Sequence, residues 1–309
     1  MAKLTTAAQG AFDFDSSGDS HFESLAKTNG TRYWFARDLM RALGYESWPA
    51  FKKAINKATA ACIAINVSVV ENFIQCSSSV DGKALEDFKL SRFACCLTAL
   101  NGDPKNPSIA AAQAYFIGLA EVLHDSPLDA DSVDRLLVRE EISEQEVALV
   151  KTAGAAGVEF FDRFQNAGYR GMYNMNYADL KRVKKIPDVR RSLLDFMGKE
   201  ELAGNLFRLT LTEGRIKKDG IRGQSALEDV AHQVGRRVRK AMIEETGKAP
   251  ESLPISTDIK TVKRSLKSTN RGFGGLDDVT KGKTYEAEDV EQRRMALWSG
   301  LRMPGMRGW

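Results

Sequence analysis

The chain has 309 residues, 43% hydrophobic and 28% charged, enough apolar material for one large domain or two of ordinary size. Its formal net charge of +4 hides a division: residues 1–162 carry −7, residues 163–267 carry +10 and residues 268–309 carry +1. No apolar run approaches the roughly 20 residues that span a bilayer, the N-terminus lacks the apolar stretch of a secretory signal, and Cys62, Cys76, Cys95 and Cys96 are too irregular for a disulfide framework, which together predict a cytoplasmic protein with no membrane partner.

Residues 1–21, rich in Ser, Gly, Ala and Asp, predict a disordered tail. Arg32-Tyr33-Trp34-Phe35 reads as a strand, and residues 36–43 as a helix stopped by Gly44. Ser47 is placed to cap a second helix, 48–65, with Phe51, Ile55, Ala58 and Cys62 along its buried stripe. Lys52, Lys53 and Lys57 lie mostly off that stripe, so the pair of helices fits a loose helix-turn-helix description. Residues 67–90 read as short strands about the turn Val80-Asp81-Gly82-Lys83. Ser91 caps a helix over 92–100, and Ser108 opens another with Ile109, Ala112, Phe116 and Leu119 on its buried side.

From Ser132 onward strand signals almost vanish. Helices are predicted at 132–153, 158–167, 188–197, 199–217 and 224–246, with turn glycines at Gly168, Gly171, Gly198, Gly220 and Gly247. A basic helical turn follows at 259–267. The glycines of 269–283 predict flexibility, and 286–301 reads as a possible amphipathic helix. The fold class is therefore α+β: a small α+β module at 22–125, a mainly α-helical basic module at 130–267, and a flexible tail at 268–309.

Motifs for catalysis are missing. The three histidines are far apart, no Cys-x-x-Cys occurs, and adjacent Cys95-Cys96 fits a helix core better than a ligand pair. There is no Gly-x-x-x-x-Gly-Lys-Ser/Thr loop and no Gly-x-Ser-x-Gly elbow. The expectation is a non-enzyme with no cofactor and no metal. Acids converging from distant segments leave a metal-dependent nuclease as an alternative.

Two helices in the basic half stand out. Glu201, Asn205, Arg208, Thr212 and Arg215 make one polar stripe at spacings of four and three, and Glu228, His232, Arg236 and Arg239 make another. Lys217 and Lys218 lie in the basic connection between them. A helical hairpin would gather these cations into a phosphate-binding surface, so Arg208, Arg215, Lys217, Lys218, Arg236 and Arg239 are the candidate nucleic-acid contacts, with Lys52, Lys53 and Lys57 a second set. The competing reading is two ordinary solvated faces with local ion pairs. Gly235 serves either close packing or backbone approach to a ligand. Tyr169, Tyr173 and Tyr177, beside Arg163 and Arg170, either stack single-stranded bases from a loop or plug a helix junction.

Tyr33-Trp34-Phe35-Ala36-Arg37-Asp38-Leu39 with Leu43-Gly44-Tyr45 resembles the opening of the Bro-type N-terminal domain of phage and viral DNA-binding and antirepressor proteins. The stretches Leu90-Ser91-Arg92-Phe93-Ala94-Cys95, Asn101-Gly102-Asp103-Pro104, Glu201-Leu202-Ala203, Asn205-Leu206-Phe207-Arg208, Lys218-Asp219-Gly220 and Val234-Gly235-Arg236-Arg237-Val238-Arg239 resemble the bacterial DNA-damage-inducible protein D family, in order over residues 30–267. That resemblance implies a non-enzymatic role in the DNA-damage (SOS) response and modulation of recombinase filaments on single-stranded DNA. The partners it implies are DNA, single strands favoured, and a recombinase filament. The N-terminal resemblance separately implies DNA or protein binding by an α+β module, and the alternative is an antirepressor-like protein-interaction regulator whose basic half meets an acidic partner. Residues 269–309 have no counterpart in the family, and the sequence carries no signal for oligomeric state.

Overall fold

The structure, a computed structural model, describes residues 21–80, 83–123, 128–186, 188 and 190–280. The expected tail up to residue 20 and the expected helix at 286–301 lie outside the described residues. The chain divides into two compact units, Met1–Val133 with Lys263–Trp309, and Asp134–Val262. The architecture is α+β: a small antiparallel sheet with helices in the N-terminal part, followed by a helical part. No helix among the described residues is long and apolar enough to cross a membrane.

The first unit runs α1 (His21–Ser24), β1 (Lys27–Thr28), β2 (Arg32–Phe35), α2 (Ala36–Ala42), α3 (Trp48–Ala64), α4 (Val69–Asn72), β3 (Phe73–Val80), β4 (Lys83–Leu90), α5 (Arg92–Leu100) and α6 (Pro107–Leu123). The strands lie in the order β1-β2-β4-β3, all antiparallel. β3 and β4 pair without slippage from Phe73↔Leu90 to Val80↔Lys83, the hairpin that the turn signal predicts. Gly44, at φ +71°, ends the α2 turn in the left-handed region where a side chain would be strained.

Caps in this unit come partly from neighbouring elements. Phe35 cannot cap α2, and the buried Asp87 of β4 does so instead, accepting from Arg37 N at 3.2 Å. Ser47 holds the N-cap position of α3 without the expected hydroxyl bond; Pro49 in the first turn removes one donor that would have needed a partner. Ser91 does cap α5, accepting from Ala94 N at 3.0 Å. All nine residues of α5 are buried, Cys95 and Cys96 among them, so this helix is the centre of the unit rather than a surface element. At its far end Gln113 of α6 donates to the carbonyls of Ala99 and Gly102, which ties α6 to the end of α5.

The later elements are α7 (Ala130–Ala155), α8 (Phe161–Tyr173), α9 (Tyr177–Val183), a 3-10 turn (Leu193–Phe196), α10 (Lys199–Asp219), α11 (Gln224–Thr246), a second 3-10 turn (Pro250–Ser252) and α12 (Ile259–Asp277). Three sequence expectations are corrected here. Gly168 and Gly171 are not turn residues but lie inside α8, which continues to Tyr173 and ends at left-handed Asn174. The helix expected over 188–197 shrinks to the 3-10 turn Leu193–Phe196. The segment expected to be flexible from residue 269 stays helical to Asp277. Buried Leu266, Thr269, Phe273 and Asp277 recur there at helical spacing, and burial of that face outweighs the propensity cost of Gly272, Gly274 and Gly275.

Candidate nucleic-acid interface

α10 and α11 form the expected helical hairpin, closed by Gly220 at φ +59° and Gly223 at φ +87°. The polar stripe of α10, however, does not face solvent. Glu201, Asn205, Arg208 and Thr212 are 1%, 0%, 4% and 1% exposed. Asn205 donates to the Tyr173 hydroxyl at 2.6 Å, and Arg208 Nη2 donates to Asn205 Oδ1 at 3.1 Å. The Arg208 guanidinium stacks 4.9 Å from the Tyr169 ring centroid and lies so close to Gly168 that a Cβ there would meet Nη1 at 2.3 Å. Arg208 is therefore a buried arginine held by a glycine, an amide and a tyrosine face, and it is withdrawn from the phosphate-contact set.

Tyr169 and Tyr173 are 1% and 0% exposed and sit within α8, stacked at 5.8 Å between centroids. They plug the helix junction, so the base-stacking expectation for both is corrected. Burial pushes both phenols above their ordinary range. The ambiguity at Gly235 also resolves toward packing. A Cβ at Gly235 would lie 2.6 Å from Gly168 O, and one at Gly171 would lie 2.2 Å from His232 O. α8 and α11 thus cross backbone to backbone, which fixes the tyrosines under α10.

Arg239 is the second correction among the cations. It is half-buried, its guanidinium forks onto Glu251 (Nη2 to Oε1 at 2.7 Å), and Nη1 donates to Met172 O at 3.0 Å. The forked bond to Glu251 holds the Arg239 charge above its ordinary range against burial. It ties α11 to α8 and to the Pro250–Ser252 turn. Arg215 is also half-buried, with Nε 3.5 Å from Asp219.

The exposed members of the predicted set are Lys217, which pairs with Glu213 at 2.6 Å, and Lys218 and Arg236, which form no ion pair among the described residues. Three further exposed cations extend this group: Arg222 in the turn, and Arg237 and Lys240 on the outer face of α11. The run Arg236-Arg237-Val238-Arg239-Lys240 already carried that signal; only its inward-facing members needed separating. Arg236 lies about 18 Å from the start of α11, so the exposed cations form two groups, Lys217, Lys218 and Arg222 about the hairpin turn and Arg236, Arg237 and Lys240 further along α11. The hairpin also exposes Phe207 (54%) and Leu211 (38%), one turn apart on α10, which the sequence reading missed.

In the first unit, Lys52 is a tie rather than a free cation. Its ammonium donates to both Glu86 oxygens, at 2.7 and 2.8 Å, and Trp48 Nε1 donates to the same carboxylate at 3.2 Å. These bonds hold Glu86 below the usual carboxylate range. Lys53 and Lys57 are exposed on α3. Among the described residues, no three His, Cys, Asp or Glu side chains gather where they could hold a metal ion.

Comparison with known proteins supplies the remaining findings. Residues 128–262 match the family model of the DinD C-terminal domain, a span that nearly coincides with the second unit. Over 263 residues the chain is 35% identical to DNA damage-inducible protein D of Escherichia coli strain K12, covering 80% of this chain and 95% of that protein.

Proposed function

The chain belongs to the DNA damage-inducible protein D family, and from that premise we propose that it acts in the DNA-damage response by binding DNA, single strands favoured, or a recombinase–DNA filament, and so modulates recombination and repair. The observation that carries the binding half of this reading is the exposure of six cations on the α10–α11 hairpin, Lys217, Lys218 and Arg222 about its turn and Arg236, Arg237 and Lys240 along α11. Such cations face a polyanion without desolvating a buried charge, and they release counterions on contact. The test is fluorescence anisotropy of labelled single- and double-stranded DNA with the full chain across a salt series. Affinity should fall steeply with salt. The double variant Lys218→Glu, Arg236→Glu should weaken binding on every sequence alike and flatten the salt slope by about two per pair of lost phosphate contacts. Unchanged affinity in that variant would remove the surface from the assignment.

A second reading, an antirepressor-like regulator that docks a protein, is favoured by exposed Phe207 and Leu211 beside the cations. It expects Phe207→Ser to abolish partner capture and leave DNA affinity untouched.

A further inference from the structure

Two helices flank α10 on opposite sides within the second unit. Glu213 of α10 accepts from Gln145 of α7 at 2.7 Å and from Thr152 at 2.9 Å, while a Cβ at Gly204 of α10 would meet Met242 of α11 at 2.7 Å. Positions 204 and 213 are about two and a half helical turns apart and so point in opposite directions. Between these flanks the outer row of α10 carries Phe207 and Leu211, which are 54% and 38% exposed.

The level of each residue along the helices follows from the same contacts. Lys199 pairs with Asp134, and Glu213 with Gln145 and Thr152, so α7 and α10 run parallel; α11 returns antiparallel through the turn at Gly220. Counted from Asp134 opposite Lys199, Glu141 and Glu144 stand level with residues 206 and 209 of α10. Counted from Met242 opposite Gly204, Lys240 and Arg237 stand level with the same two residues. All four charged side chains are exposed. Glu141, Glu144 and Arg237 form no ion pair among the described residues, and Lys240 makes a loose pair with exposed Glu244 at 3.6 Å.

The surface across α7, α10 and α11 therefore reads acid, apolar, cation at one level, and that strip is complementary to itself. A two-fold axis parallel to α10 exchanges the two flanks and leaves the level unchanged, so it lays α7 of one copy over α11 of the other. Glu141 then meets Lys240 and Glu144 meets Arg237, each contact occurs twice, and the two apolar rows close on one another at the axis. A two-fold axis across α10 would instead set acid on acid and cation on cation.

We infer that this strip is a homodimer interface, in which the α10 rows of two copies of the chain pack together with Glu141 and Glu144 of each on Lys240 and Arg237 of the other. Burial of Phe207 and Leu211 drives the association, and the charge pairs set its direction and register. Arg237 and Lys240 are among the cations assigned above to phosphate, so a docked copy and a nucleic acid exclude one another there. The interface does not rest on the nucleic-acid reading, and its test contains no nucleic acid.

The test is sedimentation velocity of the full chain over a concentration series, which should show a species of two copies. Two double variants reverse the charges, one Glu141→Lys with Glu144→Lys, the other Arg237→Glu with Lys240→Glu. Each alone should associate about tenfold more weakly or worse, because like charges then face each other across the interface. Their equimolar mixture should recover the two-copy species, since one variant presents cations on both flanks and the other presents acids. Phe207→Ser, which leaves every charge in place, should weaken association to a similar degree. A single copy throughout the series for the unmodified chain would overturn the interface, as would association indifferent to Phe207→Ser or to either reversal. Weakened variants that circular dichroism shows to be folded, but whose mixture stays single-copy, would overturn the pairing of α7 with α11.

Discussion

Glu201 and Lys184 form an ion pair in the interior of the second unit, 2.9 Å apart and both almost wholly buried, with the ammonium also donating to the carbonyls of Leu253 at 2.8 Å and Pro250 at 3.4 Å. Burial pushes the Glu201 carboxyl up to about 7, with Lys184 opposing. An unfolded glutamate titrates near its ordinary value of about 4.3. Between those two values the folded chain holds a proton that the unfolded chain has released. The stability contributed by this group is therefore complete below about pH 4, is lost as pH rises toward 7, and is constant above that. The change amounts to about 4 kcal/mol over the window. Denaturant unfolding of the intact protein and of Glu201→Gln, measured from pH 4.5 to pH 7.5, should show the difference in stability moving in favour of the variant by that order as pH rises. At low pH the native carboxyl is itself protonated and neutral, so the variant should differ little from it there. A difference independent of pH would refute the account.

At the scale of elements, the crossing of α8 and α11 decides where the polar stripe of α10 ends up. Gly235 lets the two backbones touch, and Tyr169 and Tyr173 are thereby carried under α10, where Asn205 and Arg208 meet them. Gly235→Ala should cost about 2–3 kcal/mol or more, because its Cβ would meet backbone atoms, Gly168 O at 2.6 Å and Met172 N at 2.9 Å, that cannot rotate away. Gly214→Ala, in an open part of α10 with nothing within 4 Å, should instead stabilise by roughly 0.5–1 kcal/mol from helix propensity. Paired thermal melts of the two variants check both signs. The same contrast explains what the sequence could convey. The β3–β4 hairpin, the stop at Gly44, the Ser91 cap and the span of α11 follow from local chemistry and were legible in it. Arg208 and Arg239 were misplaced because arginine on a helix is usually solvated, and their burial depends on Tyr169, Gly168 and Glu251, which are distant in sequence. Exposed Lys218 and Arg236 were legible because nothing nonlocal opposes their ordinary behaviour.

At the scale of the whole molecule, the two ends of the described chain meet in the first unit. Arg92, buried at the start of α5, bonds Glu23 of α1 through both terminal nitrogens and Asp277 of α12 at 2.7 Å, while its guanidinium lies 4.7 Å from the Trp34 ring centroid. A second tie joins Val279 N to Gly30 O at 3.2 Å. The N-terminal unit is thus completed by residues that follow the second unit in sequence, and its stability depends on the chain continuing past α11. Removing one partner of a buried pair costs about 3–5 kcal/mol; with Glu23 still on Arg92, Asp277→Ala should cost about 3 kcal/mol, toward the low end of that range. With Trp298 and Trp309 replaced by Phe, tryptophan reports this unit, since residues 134–262 contain none and Trp34 stacks directly under Arg92. The fluorescence-detected midpoint of Asp277→Ala should therefore fall in denaturant while DNA affinity measured below that midpoint is retained, because the exposed hairpin cations are untouched. An unmoved fluorescence midpoint would mean that α12 contributes nothing to the N-terminal unit. A loss of DNA affinity in the still-folded variant would mean that the binding surface is not confined to the hairpin.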